Sequence, residues 1–394
     1  MVRRAKWWMA WCLVAGLVLG GCWDRIEVEH RAFVVGVAVD RAPEQKGTAR
    51  VSGPRTPRLR LTFQVANPVK LVGGGKESGG GGGGASAELP FWNLVTVSPG
   101  IFLAVREVST RIDRIPYFEH LQVVVLGEEV AREGLEPALD FFRRNGEMHG
   151  RVEVAVAQGE AQKVLTVTPR LQPLPALYLV DLIRLGEKRT GHHAPTTDLT
   201  QVFGRLAAQT AMVLPRVVPG KQEVKVTGGA VVRRGRLVGW LGETEAEGYR
   251  WLVNRARGVV VGTPGPQRAL DAFEVWHART RLVPQVVGDR LRFRVIIEAE
   301  GDLSEHLGVT SAATANYLDK AQMEVGRTIA RRVEAAVKRL QSLKADAVGF
   351  GQEVERRHPL LWKRIEKRWE EEIFPSLPVE VEARVKIRQV GLYR

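Results

Sequence analysis

With 394 residues the chain is long enough for two or three domains, each with a sizeable hydrophobic core. Its two cysteines, Cys12 and Cys22, exclude cysteine-based zinc clusters and thiol redox pairs. The formal net charge of +14 is spread among acids, as in Arg364-Ile365-Glu366-Lys367-Arg368. There is no basic arm or aromatic-interleaved strip to indicate a nucleic-acid partner; the surplus suits an anionic lipid surface or an Arg-rich solvated exterior.

The chain opens with Arg3, Arg4 and Lys6, an apolar run from Trp7 to Leu19, and Gly20-Gly21 before Cys22. Basic, apolar and small residues in that order form an export signal, and the cysteine makes it a lipoprotein processing site. Cleavage between Gly21 and Cys22 is expected to free Cys22 for acylation. The apolar run falls short of the roughly 20 residues that span a bilayer, and no second segment is apolar enough.

Residues 22–190 read as an N-terminal α+β domain. Trp23 to His30 is a polar stretch, Ala32 to Asp40 a buried strand, and 41–57 a loop. Leu59, Leu61, Phe63 and Val65 alternate with polar residues, which predicts a strand with one buried face. The glycine-rich loop 73–84 reads as flexible coil, because no GxxxxGK[ST] phosphate loop is present. A strand over Phe91 to Val97 leads to a helix with Ile101, Val105, Val108 and Ile112 on one face. A strand from His120 to Leu126, a helical stretch from Gly127-Glu128-Glu129 through Leu135, Leu139 and Phe142, and a strand from Arg151 to Ala157 follow.

Residues 191–221 form a helical connector. Ala194-Pro195-Thr196-Thr197 resembles a helix start with Thr197 as cap, Leu199, Val202, Phe203 and Leu206 make the buried stripe, and Leu214-Pro215-Arg216 closes it.

Residues 222–394 read as a C-terminal α+β domain, with a division into two subdomains near 310. Val231 to Leu241, including Gly239 and Trp240, is a hairpin, and Phe273 to Glu300 is a second one turning at Gly288-Asp289. A long amphipathic helix covers about 312–347, with Leu318, Val325, Ile329, Val333, Val337 and Leu340 as its apolar stripe. Pro359 starts a helix lined by Trp362, Ile365, Trp369 and Ile373 and stopped by Pro375. The alternating strand Val379 to Arg388 is expected to pair with the earlier hairpins in an antiparallel sheet. The fold class is α+β, multi-domain, with mixed and antiparallel sheets.

Chemistry is sparse. His192-His193, with Asp198 as the carboxylate nearby, reads as a surface turn rather than a metal site. His120, close in sequence to Glu119 and Glu128, reads as a hydrogen-bonded, partly buried histidine rather than a general base. Glu370, Glu371 and Glu372 are neighbours on one helix, whereas glycoside hydrolysis needs carboxylates on opposite sides of a substrate. HExxH, GxSxG and a dinucleotide-type GxGxxG are absent, and the Trp362 and Trp369 spacing fits core packing. No catalytic residue, metal site or cofactor is assigned.

A succession of short motifs resembles the Ger(x)C family, the lipoprotein C subunits of nutrient germinant receptors in bacterial spores. It begins at Gly21-Cys22-Trp23-Asp24-Arg25 and continues through Val35 to Asp40, the glycine tract, His120 to Val125 and Gly127-Glu128-Glu129. It resumes at Pro195-Thr196, Leu214-Pro215-Arg216, Gly239-Trp240-Leu241, Asp346 to Gly351, His358-Pro359-Leu360-Leu361-Trp362 and Ile387 to Leu392. Arg144-Asn145-Gly146-Glu147 departs from the family's Arg-Asp pair. The resemblance implies a three-domain α+β, non-catalytic subunit held by lipid on the outer face of the spore inner membrane, working with two integral membrane subunits. Whether this subunit contacts the nutrient stays open. A solute-binding lipoprotein of a transporter is the alternative; it requires two similar lobes around a deep cleft.

Overall fold

The computed structural model describes residues 28–43, 58–73, 89–264, 270–288, 290–307 and 314–391. The expected processing site at Gly21-Cys22, the motif residues Trp23, Asp24 and Arg25, residues 44–57, most of the glycine-rich loop, Asp289 and the point near 310 lie outside these residues. The described strands make two sheets.

The first sheet grows from β1 (Arg31–Arg41), whose run of valines and alanines is buried on both faces. β2 (Leu59–Ala66) pairs with it antiparallel, and after α1 (Pro68–Gly73) β3 (Phe91–Ser98) pairs with β2. α2 (Ile101–Val108) then returns the chain to β4 (Ile115–Tyr117), which lies parallel to the start of β1. β5 (Val123–Leu126) is parallel to β1. α3 (Glu128–Glu133) and α4 (Leu135–Arg144) lead to β6 (Glu153–Ala157), which is parallel to β5. α5 (Gln162–Leu165), α6 (Pro175–Arg189) and α7 (Leu199–Ala207) precede β7 (Met212–Pro219), parallel to β6. β8 (Val224–Arg233) and β9 (Arg236–Leu241) finish the nine-stranded sheet, in the order β3-β2-β1-β5-β6-β7-β8-β9 with β4 beside β1.

The second sheet has four strands in the order β10-β11-β12-β13. α8 (Glu243–Leu252) leads into β10 (Val260–Pro264), and the long hairpin of β11 (Leu270–Val287) and β12 (Arg290–His306) follows. Then come α9 (Ala315–Ser342), α10 (Phe350–Arg357), α11 (Pro359–Ile365), α12 (Phe374–Ser376) and β13 (Val379–Val390). α9 is capped by Thr314, whose side chain accepts from the Tyr317 N–H, and at 28 residues it is about 42 Å long. Val325, Ile329, Val333, Val337 and Leu340 are its buried stripe, as the helical period predicts, whereas Leu318 is only half-buried and Tyr317 takes the covered position. Full burial of each side chain of this size contributes roughly 1.5–3 kcal/mol. One apolar core runs from Val213, Val231 and Leu241 of the first sheet through α8 and α9 to Phe293, Val295 and Ile297 of the second.

The α+β class is what the molecule has, while several local readings are corrected. β2 is not half-buried: Thr62 and Gln64 are as fully covered as Leu61 and Phe63, because α5 and α6 pack on the second face. Gln64 is satisfied there, donating to the Leu165 carbonyl at 3.0 Å and accepting from the Ala176 N–H at 2.9 Å. Gly134, at φ 148°, breaks the long helical stretch into α3 and α4. α2 ends at Val108, before Ile112. Asp198, not Thr197, caps α7, accepting from the Gln201 N–H at 2.8 Å. Leu214-Pro215-Arg216 lies within strand β7 rather than closing a helix. The Val231–Leu241 hairpin belongs to the first sheet, turning through Arg234 and Gly235, both at positive φ. Among the described strands β13 pairs with β12 alone, and in parallel.

Candidate functional site

The motif residues of the second half gather where the two sheets meet. Asp346 stands before Gly349, which takes φ 98°, a backbone conformation open to glycine. That turn points three successive N–H groups at one carboxylate: Asp346 accepts from Gly349 at 2.8 Å, Phe350 at 3.0 Å and Gly351 at 2.7 Å. Its Oδ2 also accepts from the Trp369 indole at 3.0 Å. A negative charge at the start of α10 suits the exposed N–H groups of a helix N-terminus. A side chain on Gly351 would meet the rings of Trp362 and Trp369, each 2.8 Å from the position of a Cβ. The two indoles pack edge-on, 5.4 Å between centroids. Pro359, at the first turn of α11, therefore starts the helix that delivers Trp362 to this corner. Beyond α11 the chain passes through a 3-10 turn and a π turn rather than one continuous helix, and Trp369 is buried in the latter.

The first sheet reaches the same corner from the other side. Arg233 and Arg234 of the β8–β9 turn meet Glu371 and Glu370, each at 3.3 Å, and Lys344 meets Glu371 at 3.0 Å. Burial pushes the Glu370 carboxyl up against the pull of both arginines, while the Lys344 hydrogen bond and Arg233 hold Glu371 below its ordinary value. Glu372 instead pairs with Arg368 at 2.6 Å. The acidic trio is thus consumed in ion pairs. Gly239 admits α9: a Cβ there would lie 2.6 Å from Leu343 Cδ2, and the neighbouring Trp240 carbonyl accepts from Arg339 at 3.0 Å. Pro215 precedes Arg216, whose Nε donates to the Thr227 carbonyl at 2.8 Å and whose guanidinium lies 5.9 Å from the Trp240 ring.

A second fastening lies at the end of α6. His193 is buried, its Nδ1 2.6 Å from the Ala194 carbonyl, and burial lowers its proton affinity. This corrects the surface-turn reading, which the half-exposed His192 alone fits. Arg250 of α8 is 1 % exposed and donates to the backbone carbonyls of Glu187 at 2.6 Å and His193 at 3.4 Å. Burial brings its basicity down to about 10. The Thr196 N–H donates to the Glu187 carboxylate at 3.1 Å, which seats the Pro195-Thr196 motif on α6. Glu247 binds His192 at 2.9 Å and Arg332 of α9 at 2.6 Å. Sequence reasoning missed Arg250 and Glu247, because α8 shows no motif.

His120 and Glu128 are not brought together. His120 is exposed in the turn before β5, which begins only at Val123, and packs on Phe33 (5.2 Å) and Tyr117 (6.1 Å), which corrects the partly buried reading. Glu128 lies past the other end of β5, accepting from Gly159 N–H at 3.2 Å and Arg132 at 2.7 Å. There Asp40, whose carboxyl burial pushes up, accepts from the N–H groups of Ala161 and Gln162 at 2.6 and 2.8 Å beside a cleft of about 720 Å³. Among the described residues no group of three or more metal-type ligands converges, and no helix is long and apolar enough to cross a membrane. The geometry builds fastenings and surfaces.

Two family models align along the chain in order: the spore germination protein N-terminal domain over residues 24–219, and the spore germination B3/GerAC-like C-terminal domain over residues 227–391. The chain belongs to the Ger(x)C family. Because the second region opens within β8, both regions contribute strands to the nine-stranded sheet. Spore germination protein YndF of Bacillus subtilis (strain 168) is 29 % identical over 96 % of this chain and 95 % of its own length. Spore germination proteins KC and B3 of the same organism are 25 % and 24 % identical, over 96 % and 95 % of this chain and 94 % and 95 % of their own lengths. A crystal structure of the GerBC protein covers 88 % of this chain and 99 % of its own, with TM-score 0.57 and 20 % identity, so it shares the fold. The Ger(x)C family comprises germinant receptor subunits, and its role is in spore germination.

Proposed function

We propose that this Ger(x)C protein is the lipid-anchored, non-catalytic subunit of a spore nutrient germinant receptor, acylated at Cys22 and assembled with two integral membrane subunits on the outer face of the spore inner membrane. The observation that carries the reading is the succession of family regions directly behind Cys22 and its apolar leader. Two acyl chains make attachment stable where one is marginal, since each buried methylene contributes about 0.8 kcal/mol. In this reading Trp23, Asp24 and Arg25 orient β1 close to the membrane surface. The motif residues His120, Glu128, Pro195, Thr196, Pro215, Gly239, Trp240, Pro359 and Trp362 serve by shaping and fastening the body that partners grip. A transporter's binding protein is disfavoured, since a nine-stranded and a four-stranded sheet are not two similar lobes.

The test is Cys22→Ala in the spore. The expected outcome is a folded protein released from the membrane fraction, with nutrient-triggered germination impaired. Normal retention together with full germination overturns the reading.

A further inference from the structure

We propose that α11 and the end of β11, at Val286 and Gly288, form a second membrane contact, a surface that rests on anionic lipid headgroups. The inference goes beyond the anchor and rests on the reading above for which face of the protein meets the membrane. The end of β11 and the helix enclose a groove of about 530 Å³. In its lining Leu360 is 80 % exposed and Val286 40 % exposed, two apolar side chains held out from rigid elements. Along the same helical stretch the exposed Lys363, Arg364 and Lys367 make no ion pair among the described residues, unlike most arginines of the neighbouring sheet; Arg364 lines the groove itself and Lys367 the adjoining cleft. Exposed apolar side chains beside unpaired cations match the boundary between acyl chains and anionic headgroups.

Topology puts this surface on the side where the chain leaves its anchor. The register of β1 with β5, β5 with β6 and β6 with β7 sets the starts of all four strands along one edge of the first sheet. β1 is entered at that edge, and Val28 follows Cys22 by six residues, at most about 20 Å of extended chain. α11 lies at the same edge, because Trp362 and Lys367 share a small cleft with Gln209 and Thr210, just before β7, and with Arg234 of the β8–β9 turn. Counting strands at about 4.8 Å, the two points are about 20 Å apart along the edge. At the opposite edge the charges are mutually paired, Glu128 with Arg132 and Glu160 with Arg60 and Lys163, so among the described residues that edge offers no comparable set of unpaired cations. An acidic protein partner fits the cations but gives no reason for Leu360 and Val286 to stand on the anchor's edge.

The test uses the processed chain with Cys22→Ser, which leaves no native thiol, and a polarity-sensitive dye on Leu360→Cys or, at the opposite edge, Glu129→Cys. Vesicles of phosphatidylglycerol are expected to shift the dye at 360 to an apolar environment, with no response at 129 and none from phosphatidylcholine. Lys363→Glu, Arg364→Glu and Lys367→Glu together are expected to weaken the response at least about 50-fold. Equal responses at 360 and 129, equal responses to the two lipids, or indifference to the triple substitution overturns the proposal. So does a dye at 360 that answers only to the integral subunits in detergent, which assigns the surface to a protein. Because the chain tested carries no acyl group, a failure here is distinct from a failure of the anchor at Cys22.

Discussion

The two sheets handle their second faces in opposite ways. In the first, α2, α3 and α4 cover one side of β1, β5 and β6, and α5 and α6 cover the other, so Val123 to Leu126 are all buried. In the second, α9 and α10 cover one side of β11 to β13, and the outer side carries cross-strand ion pairs: Arg281 with Glu298, Arg294 with Glu382, and Arg388 with Glu300. Parallel strands joined through helices are covered twice, while the hairpin-built sheet keeps a wet face. One region is specified by apolar content and the other by alternation.

The sharpest way to break this contrast is to put the same charge on each second face. Val125→Lys, at a fully buried position, is expected to cost at least about 4 kcal/mol and to leave little folded protein. Ile296→Lys, on the outer face opposite Arg281 and Glu382, is expected to change stability by less than about 1 kcal/mol. Urea unfolding of the two variants decides, and similar losses would mean that the outer face is covered by something else. Next in size is the corner that joins the sheets. Asp346→Ala strands three N–H groups and the Trp369 indole and is expected to cost about 2–3 kcal/mol, read as a lower denaturation midpoint with loss of indole burial.

A slope rather than an offset comes third. His193 is buried neutral, so its proton affinity is lower folded than unfolded. Its contribution is therefore present above the unfolded value near 6.5 and lost as pH falls through the lower folded value, because the unfolded chain takes up the proton first. Comparing melting temperatures from pH 7.5 to 5, the wild type should lose stability below about 6.5 more steeply than His193→Gln. Parallel curves would place the acid sensitivity elsewhere. The smallest effect is on the wet face: Arg281→Ala is expected to cost about 0.2–1 kcal/mol at low salt and less as salt rises. A larger, salt-independent loss would show that the pair is desolvated.

Against this contrast, what the sequence discloses follows from which forces are local. Val35 to Asp40, the β11–β12 hairpin and the α9 stripe are legible because period and composition are properties of a short window. The cover on β2 is not, since Gln64 is polar and its burial depends on Leu165 and Ala176, about a hundred residues away. Alternation in β13 shows a strand with two unlike faces but carries no sign of direction, so parallel pairing with β12 went unread. His193 looks like half of a polar pair until Arg250 and α8 close over it. Asp346 and Trp362 stand out as motif members, yet their task emerges only when Trp369 folds back onto them.

The parallel pairing of β12 with β13 also sets a clock. The 72 residues from Leu307 to Pro378 lie between the two strands, and β12 has no neighbour on that side until they have been made. At ordinary synthesis speeds of 5–20 residues per second that interval is roughly 4–15 s. During it the row of N–H and C=O groups along β12 is an open template for any extended chain nearby. Over the same interval α9 and α10 are also missing from the apolar face of the hairpin, so it is then, rather than in the finished molecule, that a chaperone has most to hold.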